Sequence, residues 1–319
     1  MKQHIIKGFV ILAGLMFFAG CSGTLNNVTA RNLSGSEYEK IMESGKHHAF
    51  NDAGEMKPES IDPKELMKSG DMELAGGNDF LALYHYTRAL SVIKSDKEKY
   101  TLKIKMAGIY LKESEWGQAR EIFAELSEKW VYAPQAWEGL GIAELALGNI
   151  EAAEKALEEA YRLDNNRWKV NNALGIIANM NGRPRDALGY FDEAVTRNPN
   201  HTEIYNNIGL SHLMIGDYGK AEKSFMTAIT MDNENKKALN NLGIVHMRQN
   251  RIESALHFFE KAEGRAKALY NIGCYLAWNK DYRKAGDFFR MAVEASPQYY
   301  ASAAKQMELM EIMEGSASK

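Results

Sequence analysis

The sequence predicts an all-α solenoid of about seven helix-turn-helix repeats, wound as a right-handed superhelix and closed by a C-terminal capping helix. The first observation behind this prediction is a residue pattern that recurs about every 34 positions. The second is composition, because the 319 residues include only six prolines and 45 % hydrophobic residues, which suits long, packed helices. A single helix pair cannot bury its apolar face alone, so neighbouring pairs must stack.

The first helix of each repeat carries a small residue where the second helix must approach closely. Glycine recurs there with steps of 34 residues and a last step of 30, at Gly141, Gly175, Gly209, Gly243 and Gly273. Gly70 and Ala107 hold the earlier equivalents. A further glycine ends three of the first helices, because it accepts the left-handed conformation that a helix end requires, at Gly148, Gly182 and Gly216.

The second helix of each repeat has one apolar face with the spacing i, i+4, i+7. Alanine opens this face at Ala82, Ala119, Ala153, Ala187, Ala221, Ala255 and Ala285. A large side chain follows four residues later, at Tyr86, Phe123, Leu157, Phe191, Phe225, Phe259 and Phe289. We expect this large residue to fill the gap between the two helices of the repeat.

These positions resemble the tetratricopeptide repeat (TPR), a helix–turn–helix of 34 residues. The resemblance implies repeats at 63–96, 100–133, 134–167, 168–201, 202–235, 236–265 and 266–299 within a repeat region of 61–299. The sixth repeat is four residues short near Glu263 to Lys267, which should shorten the end of its second helix or the following turn. Residues 300–319 should form the capping helix and a frayed tail, with an apolar face at Tyr300, Ala303, Ala304, Met307 and Met310.

The N-terminus has the features of an export signal for a lipoprotein. Lys2 and Lys7 precede an uncharged run of 13 residues, too short for a bilayer-spanning helix of about 20 residues. Phe18-Ala19-Gly20-Cys21 resembles a bacterial lipobox, although leucine is commoner than Phe18. The resemblance implies a signal peptide at 1–20, lipid attachment at Cys21, and a polar tether at 21–60. The same resemblance implies, from Ser22, that the lipoprotein is sorted to the outer membrane rather than the inner one. The alternative to a cleaved signal peptide is an uncleaved membrane anchor.

We predict that a protein partner binds on the concave face lined by the first helices. The partner-groove residues are Asn172, Ile176, Asn206, Leu210, Asn240, Ile244, Met247, Tyr270 and Trp278. Asparagine can hydrogen-bond backbone amides and the apolar stripe can bury side chains of a helix or an extended segment. Packing against neighbouring helices is the alternative for Ile176, Leu210 and Ile244. A structural role is the alternative for Asn207, Asn241 and Asn271, which match a common consensus position of the repeat. The carboxylate clamp of chaperone-tail TPR domains is not expected, since Asn172, Ile176 and Asn241 hold its positions.

Charge and motifs argue against other classes of function. The formal net charge of −3 does not favour nucleic acid. The metalloprotease, P-loop and serine-hydrolase motifs are absent from the sequence, so we predict no enzyme activity and no cofactor. His212 and His246 occupy one slot of adjacent repeats, but that slot is a usual packing position and no third metal ligand is evident.

A lipobox, a polar tether and a TPR body together resemble the TPR lipoproteins of bacterial pilus and secretion machines, in particular the TadD type of the tight-adherence (Flp) pilus system. The resemblance covers the lipobox and residues 134 to 300, including the run Asn206-Asn207-Ile208-Gly209. It implies a scaffold that assists assembly of a pilus or its secretin at the outer membrane, facing the periplasm. Pilotins of the PilF/PilW type look more distantly similar. NlpI-type adaptors for cell-wall hydrolases or proteases are the alternative.

Overall fold

The computed structural model describes residues 62–296 and 300–317 of the chain. The predicted signal peptide at 1–20 and the lipidated Cys21 with its tether at 21–60 lie outside the described residues. Those that are described form fifteen α-helices and no β-strand. They fall into two compact units, which divide between Asp164 and Asn165.

The N-terminal unit consists of three helical hairpins in which each helix contacts the next. Its helices are α1 (Pro63–Ala75), α2 (Asp79–Val92), α3 (Asp96–Lys112), α4 (Trp116–Lys129), α5 (Pro134–Ala146) and α6 (Ile150–Leu163). Helix α3 begins at Asp96, four residues before the predicted repeat boundary at residue 100. The hydroxyl of Ser95 accepts a hydrogen bond from the Glu98 backbone N–H at 3.4 Å and caps this earlier start.

The C-terminal unit consists of four hairpins and a final helix. Its helices are α7 (Trp168–Met180), α8 (Pro184–Arg197), α9 (Thr202–Ile215), α10 (Tyr218–Met231), α11 (Lys236–Arg248), α12 (Ile252–Glu263), α13 (Arg265–Trp278), α14 (Tyr282–Ala295) and α15 (Tyr300–Ala317). Ala303 and Met310 of α15 are buried and Met307 packs partly buried against the same core. Helix α15 therefore closes the unit, and it continues to Ala317 through most of the predicted frayed tail.

The turn inside each hairpin contains one residue in the left-handed region. The prediction for Gly148, Gly182 and Gly216 is confirmed, with φ of 82°, 70° and 89°. The other four hairpins place Gly77, Ser114, Asn250 and Lys280 there. A hydrogen bond then closes each turn around the helix end, as from the Asp217 N–H to the His212 carbonyl at 2.9 Å.

The two helices of a hairpin meet where a small residue faces a large one. A Cβ added to Gly209 would lie 2.5 Å from the ring of Phe225, closer than two non-bonded atoms can approach. The same geometry recurs at Gly175–Phe191, Gly243–Phe259 and Gly273–Phe289. All four rings are almost completely buried. The predicted reason for glycine in the first helix is therefore confirmed in these four repeats.

The sixth repeat is shortened at its second helix and at the turn that follows. Helix α12 has 12 residues, whereas α8, α10 and α14 have 14. Gly264 alone joins α12 to α13, with φ of 85°, whereas four residues join α10 to α11. The prediction of a contraction near Glu263 to Lys267 is therefore confirmed, and both of the expected changes occur.

A histidine is buried without a charge partner in the sixth hairpin. His246 is 4 % exposed and its ring stacks on Phe258, with ring centroids 5.0 Å apart and an interplanar angle of 8°. Its Nδ1 atom has no hydrogen-bond partner. Burial lowers the pKa of His246 below its ordinary 6.5, and the positive charge of Arg251 lowers it further. The negative charge of Glu222 has a smaller effect in the opposite direction.

We predict that the C-terminal unit loses stability as the pH falls from about 7.5 to about 5. The lowered pKa keeps folded His246 neutral, whereas the unfolded chain takes up a proton below its ordinary pKa of 6.5. Protonation therefore stabilises the unfolded state. His246→Phe should show a smaller loss of melting temperature over this pH range than the wild type, measured by circular dichroism. His257→Phe, at an exposed position of α12, is the control. Equal pH dependence in the wild type and His246→Phe would contradict the assignment.

Candidate functional site

A pocket of about 640 Å³ lies across the first helices of the last three repeats, within the C-terminal unit. Helices α9, α11 and α13 supply most of its wall, because their positions spaced by three and four residues point to the same side. The lining residues are His201, Thr202, Glu203, Asn206, Asn207, Leu210, Asn235, Lys237, Asn240, Asn241, Ile244, Phe259, Glu263, Lys267 and Asn271.

The pocket contains four of the residues predicted to face a partner: Asn206, Leu210, Asn240 and Ile244. The other five lie elsewhere. Met247 and Tyr270 are only 4 % and 5 % exposed and belong to the hydrophobic core, because α11 and α13 are packed on two sides. Asn172 is buried and Ile176 half-buried on α7, and Trp278 is 46 % exposed at the end of α13.

Asparagine side chains link successive first helices in a ladder. Asn207 on α9 donates from Nδ2 to Oδ1 of Asn172 on α7 at 3.0 Å. One repeat later, Asn241 on α11 donates in the same way to Asn206 on α9 at 2.8 Å. Each rung joins asparagines 35 residues apart and satisfies the buried Oδ1 atom of the earlier repeat with an N–H donor of the next one. The structural alternative for Asn207 and Asn241 therefore agrees with the geometry.

The ladder is interrupted at the shortened repeat. The equivalent third rung would join Asn271 on α13 to Asn240 on α11, but the Oδ1 atoms of both residues are buried without a hydrogen-bond partner. Asn240 instead donates from Nδ2 to Glu263 at 3.4 Å. The contraction after Glu263 therefore leaves two unpaired amide oxygens in the wall of the pocket.

Charged side chains of both signs surround these amides. Lys267 Nζ lies 2.7 Å from Glu263 Oε2, and both side chains are only partly accessible. Glu203 and Lys237 are exposed where α9 and α11 begin. Leu210 adds a partly buried apolar surface beside these polar groups, whereas Ile244 is only 8 % exposed and belongs to the hydrophobic core, in agreement with the packing alternative for this residue. Such a wall can bind a segment that presents both backbone amides and an apolar side chain.

The structure gives no metal-binding constellation to the predicted histidine pair. No group of three or more His, Cys, Asp or Glu in residues 62–296 and 300–317 could hold a metal ion. His246 packs on Phe258, and burial lowers the pKa of His212 on α9 as well. For His246, the packing interpretation of this slot agrees with its contact to Phe258. Among these same residues, no helix is both long and apolar enough to cross a membrane.

Sequence reasoning missed the contribution of α12 and of the turns to the pocket. Glu263 lies on a second helix, and His201 and Asn235 lie in turns, outside the face of the first helices that the sequence pattern indicated. The Nδ1 atom of His201 is buried without a partner, and its ring lies 4.4 Å from that of Trp168. The signal that pointed to Glu263 was the four-residue contraction itself.

The hairpins, the contacts between glycine and aromatic rings and the 34-residue period define a class of protein-interaction scaffold. The tetratricopeptide repeat family matches residues 104–167, 172–235, 215–268 and 241–300, together more than half of the chain. The chain therefore belongs to the tetratricopeptide repeat family.

Individual relatives are distant. A crystal structure of a tetratricopeptide repeat protein from Parabacteroides merdae ATCC 43184 is 13 % identical, with a TM-score of 0.56 over 78 % of this chain and 98 % of that one. The crystal structure of PilW, described as a widely conserved type IV pilus biogenesis factor, is 17 % identical, with a TM-score of 0.54 over 66 % and 97 %. At these identities the likeness shows the fold alone.

A curated relative matches a shorter part of the chain. The human cilia- and flagella-associated protein 70 is 28 % identical over 129 residues. These residues are 40 % of this chain and 11 % of that protein, so the chain spans about a tenth of the length of the curated relative that it matches.

We predict that the rungs of the asparagine ladder contribute unequally to stability. Asn241→Ala removes the donor to Asn206, whose buried Oδ1 then loses its partner, and should cost about 1–3 kcal/mol of unfolding free energy. Asn271→Ala removes an amide whose Oδ1 makes no hydrogen bond, and should cost less. Urea unfolding followed by circular dichroism measures both. Equal losses of unfolding free energy in the two variants would show that the hydrogen bond between Asn241 and Asn206 does not stabilise the fold.

Proposed function

We propose that this protein is a non-enzymatic scaffold whose C-terminal unit binds a segment of a protein partner in the pocket across α9, α11 and α13. The observation that carries the proposal is the pocket itself, where amides, charges and apolar side chains meet on the first helices. A partner segment would use its backbone N–H groups as donors to the pocket oxygens and bury an apolar side chain against Leu210.

We propose further that the scaffold is anchored by lipidated Cys21 at the outer membrane, facing the periplasm, and assists assembly of a pilus or secretion apparatus of the tight-adherence or type IV kind. Two observations support this. The lipobox-like run ends in Cys21 and is followed by Ser22 and a polar segment. The fold is similar to that of PilW, a type IV pilus biogenesis factor. The proposed partner is a secretin or another pilus assembly component.

Capture of the partner from the cell envelope of the source organism tests the groove. We predict that Leu210→Asp, which puts a charge on the apolar part of the pocket, reduces capture at least about tenfold. Lys237→Glu is a second pocket variant, chosen at an exposed position so that folding is preserved. Met226→Asp is the matched control, because Met226 is 42 % exposed on α10, the second helix of the same repeat as Leu210. Far-UV circular dichroism verifies that each variant is folded.

The identity of the captured protein discriminates between the two candidate machines. Recovery of a secretin or prepilin component that both pocket variants lose would support the pilus role. Recovery of cell-wall hydrolases or proteases with the same loss would favour the adaptor role. Capture that is unchanged in both folded pocket variants would contradict the groove.

The lipid anchor has a separate test at Cys21. Without its thiol the chain cannot be acylated, so Cys21→Ser should leave the protein soluble in the periplasm or held by an uncleaved signal. Membrane fractionation and metabolic labelling with a radioactive fatty acid measure the change. Cys274→Ser is the control, since Cys274 lies on α13 inside the repeat region. Labelling that persists in Cys21→Ser would refute the lipobox.

A further inference from the structure

An arginine at the end of α11 lies beside two aromatic rings of α13. The Cζ atom of Arg248 is 5.4 Å from the ring centroid of Trp278 and 5.9 Å from that of Tyr275. The two ring centroids are 6.5 Å apart, at an interplanar angle of 51°. A guanidinium group within about 6 Å of a ring centroid is attracted to the face of the ring, so the two rings hold Arg248 in place.

Arg248 has no carboxylate partner among the described residues of the chain. Arg251, only three residues later, has one, since its Nη2 lies 2.9 Å from Oε2 of Glu222. Aromatic rings attract the charge of Arg248 but do not satisfy its N–H donors with an oxygen acceptor. Arg248 therefore keeps N–H donors that an incoming anion can use.

The position of Arg248 continues the pocket along α11. Ile244 lines the pocket, and Arg248 follows it by four residues, which places it one helical turn further on the same side. The distance along the helix from Asn240 to Arg248 is about 12 Å, which three or four residues of an extended peptide span. Trp278 is 46 % exposed at this end, whereas Tyr275 is 8 % exposed and supports the arginine from below.

We infer that Arg248 and Trp278 form a carboxylate subsite for the partner segment that occupies the pocket. This inference rests on the proposed function. The carboxylate of an aspartate, a glutamate or the C-terminus of the partner accepts hydrogen bonds from the planar guanidinium, and the adjacent part of the partner packs on the exposed indole. A single arginine held by rings fits a carboxylate, whereas phosphorylated segments are bound by clusters of arginines.

Small probes test the subsite without knowledge of the partner. The full chain is labelled with 5-fluorotryptophan, and the signal of Trp278, one of five tryptophans, is assigned with Trp278→Phe. Three probes are titrated: acetyl-Leu-Glu-amide, acetyl-Leu-Gln-amide and acetyl-Leu-Gln with a free terminal carboxylate. The first probe carries a side-chain carboxylate, the third carries a terminal carboxylate, and the second carries no carboxylate. We expect at least one carboxylate probe to shift the Trp278 signal with a Kd about tenfold or more below that of the amide probe, and added salt to reduce the difference.

Two matched arginine variants decide the origin of this preference. Arg248→Gln should abolish the tenfold preference, whereas Arg251→Gln, which removes an arginine already paired with Glu222, should retain it. Equal affinity of all three probes for the wild type, or equal losses in the two variants, would overturn the subsite. Failure of the groove is distinguishable, because partner capture that is unchanged in both Leu210→Asp and Lys237→Glu overturns the proposed function whichever probe result is obtained.

Discussion

The contact between a small residue of the first helix and a large side chain of the second sets the packing of the hairpins. In the hairpins where glycine faces phenylalanine, a single added carbon would lie 2.5 to 2.6 Å from the ring. The ring fixes both the separation and the rotation of the two helices, since it fits only when the glycine faces it. The side of each first helix that lines the pocket is thereby also fixed, and the ring residue Phe259 is itself one of the lining residues.

This constraint explains why the fold could be predicted from spacing. A small residue at the position of Gly209 and a large one at the position of Phe225 recur together, because the large side chain needs the space beside the small one, and their period of about 34 residues is visible in the sequence. The turn glycines could also be predicted, because each hairpin turn needs a residue in the left-handed conformation. Ser114, Asn250 and Lys280 hold that conformation without being glycine, so sequence alone did not reveal them.

The candidate site could be predicted only in part. Helical periodicity placed Asn206, Leu210, Asn240 and Ile244 on one side, where the structure has the pocket. Periodicity could not separate them from Met247 and Tyr270, because a first helix sandwiched between neighbours buries more than half of its circumference. The setting of Arg248 depends on two rings of another helix, and contacts of that kind leave no periodic signal in a single sequence.

The shortened sixth repeat affects where a bound partner segment lies along the stacked repeats. Identical repeats offer identical sites, so a bound segment could slide by one repeat and lose almost no free energy, leaving several alignments populated at once. The interrupted rung at Asn240 and Asn271 differs from the two rungs before it. Within the C-terminal unit, the site beside this rung therefore differs from the sites beside the other two, and a segment whose groups match it favours one register there.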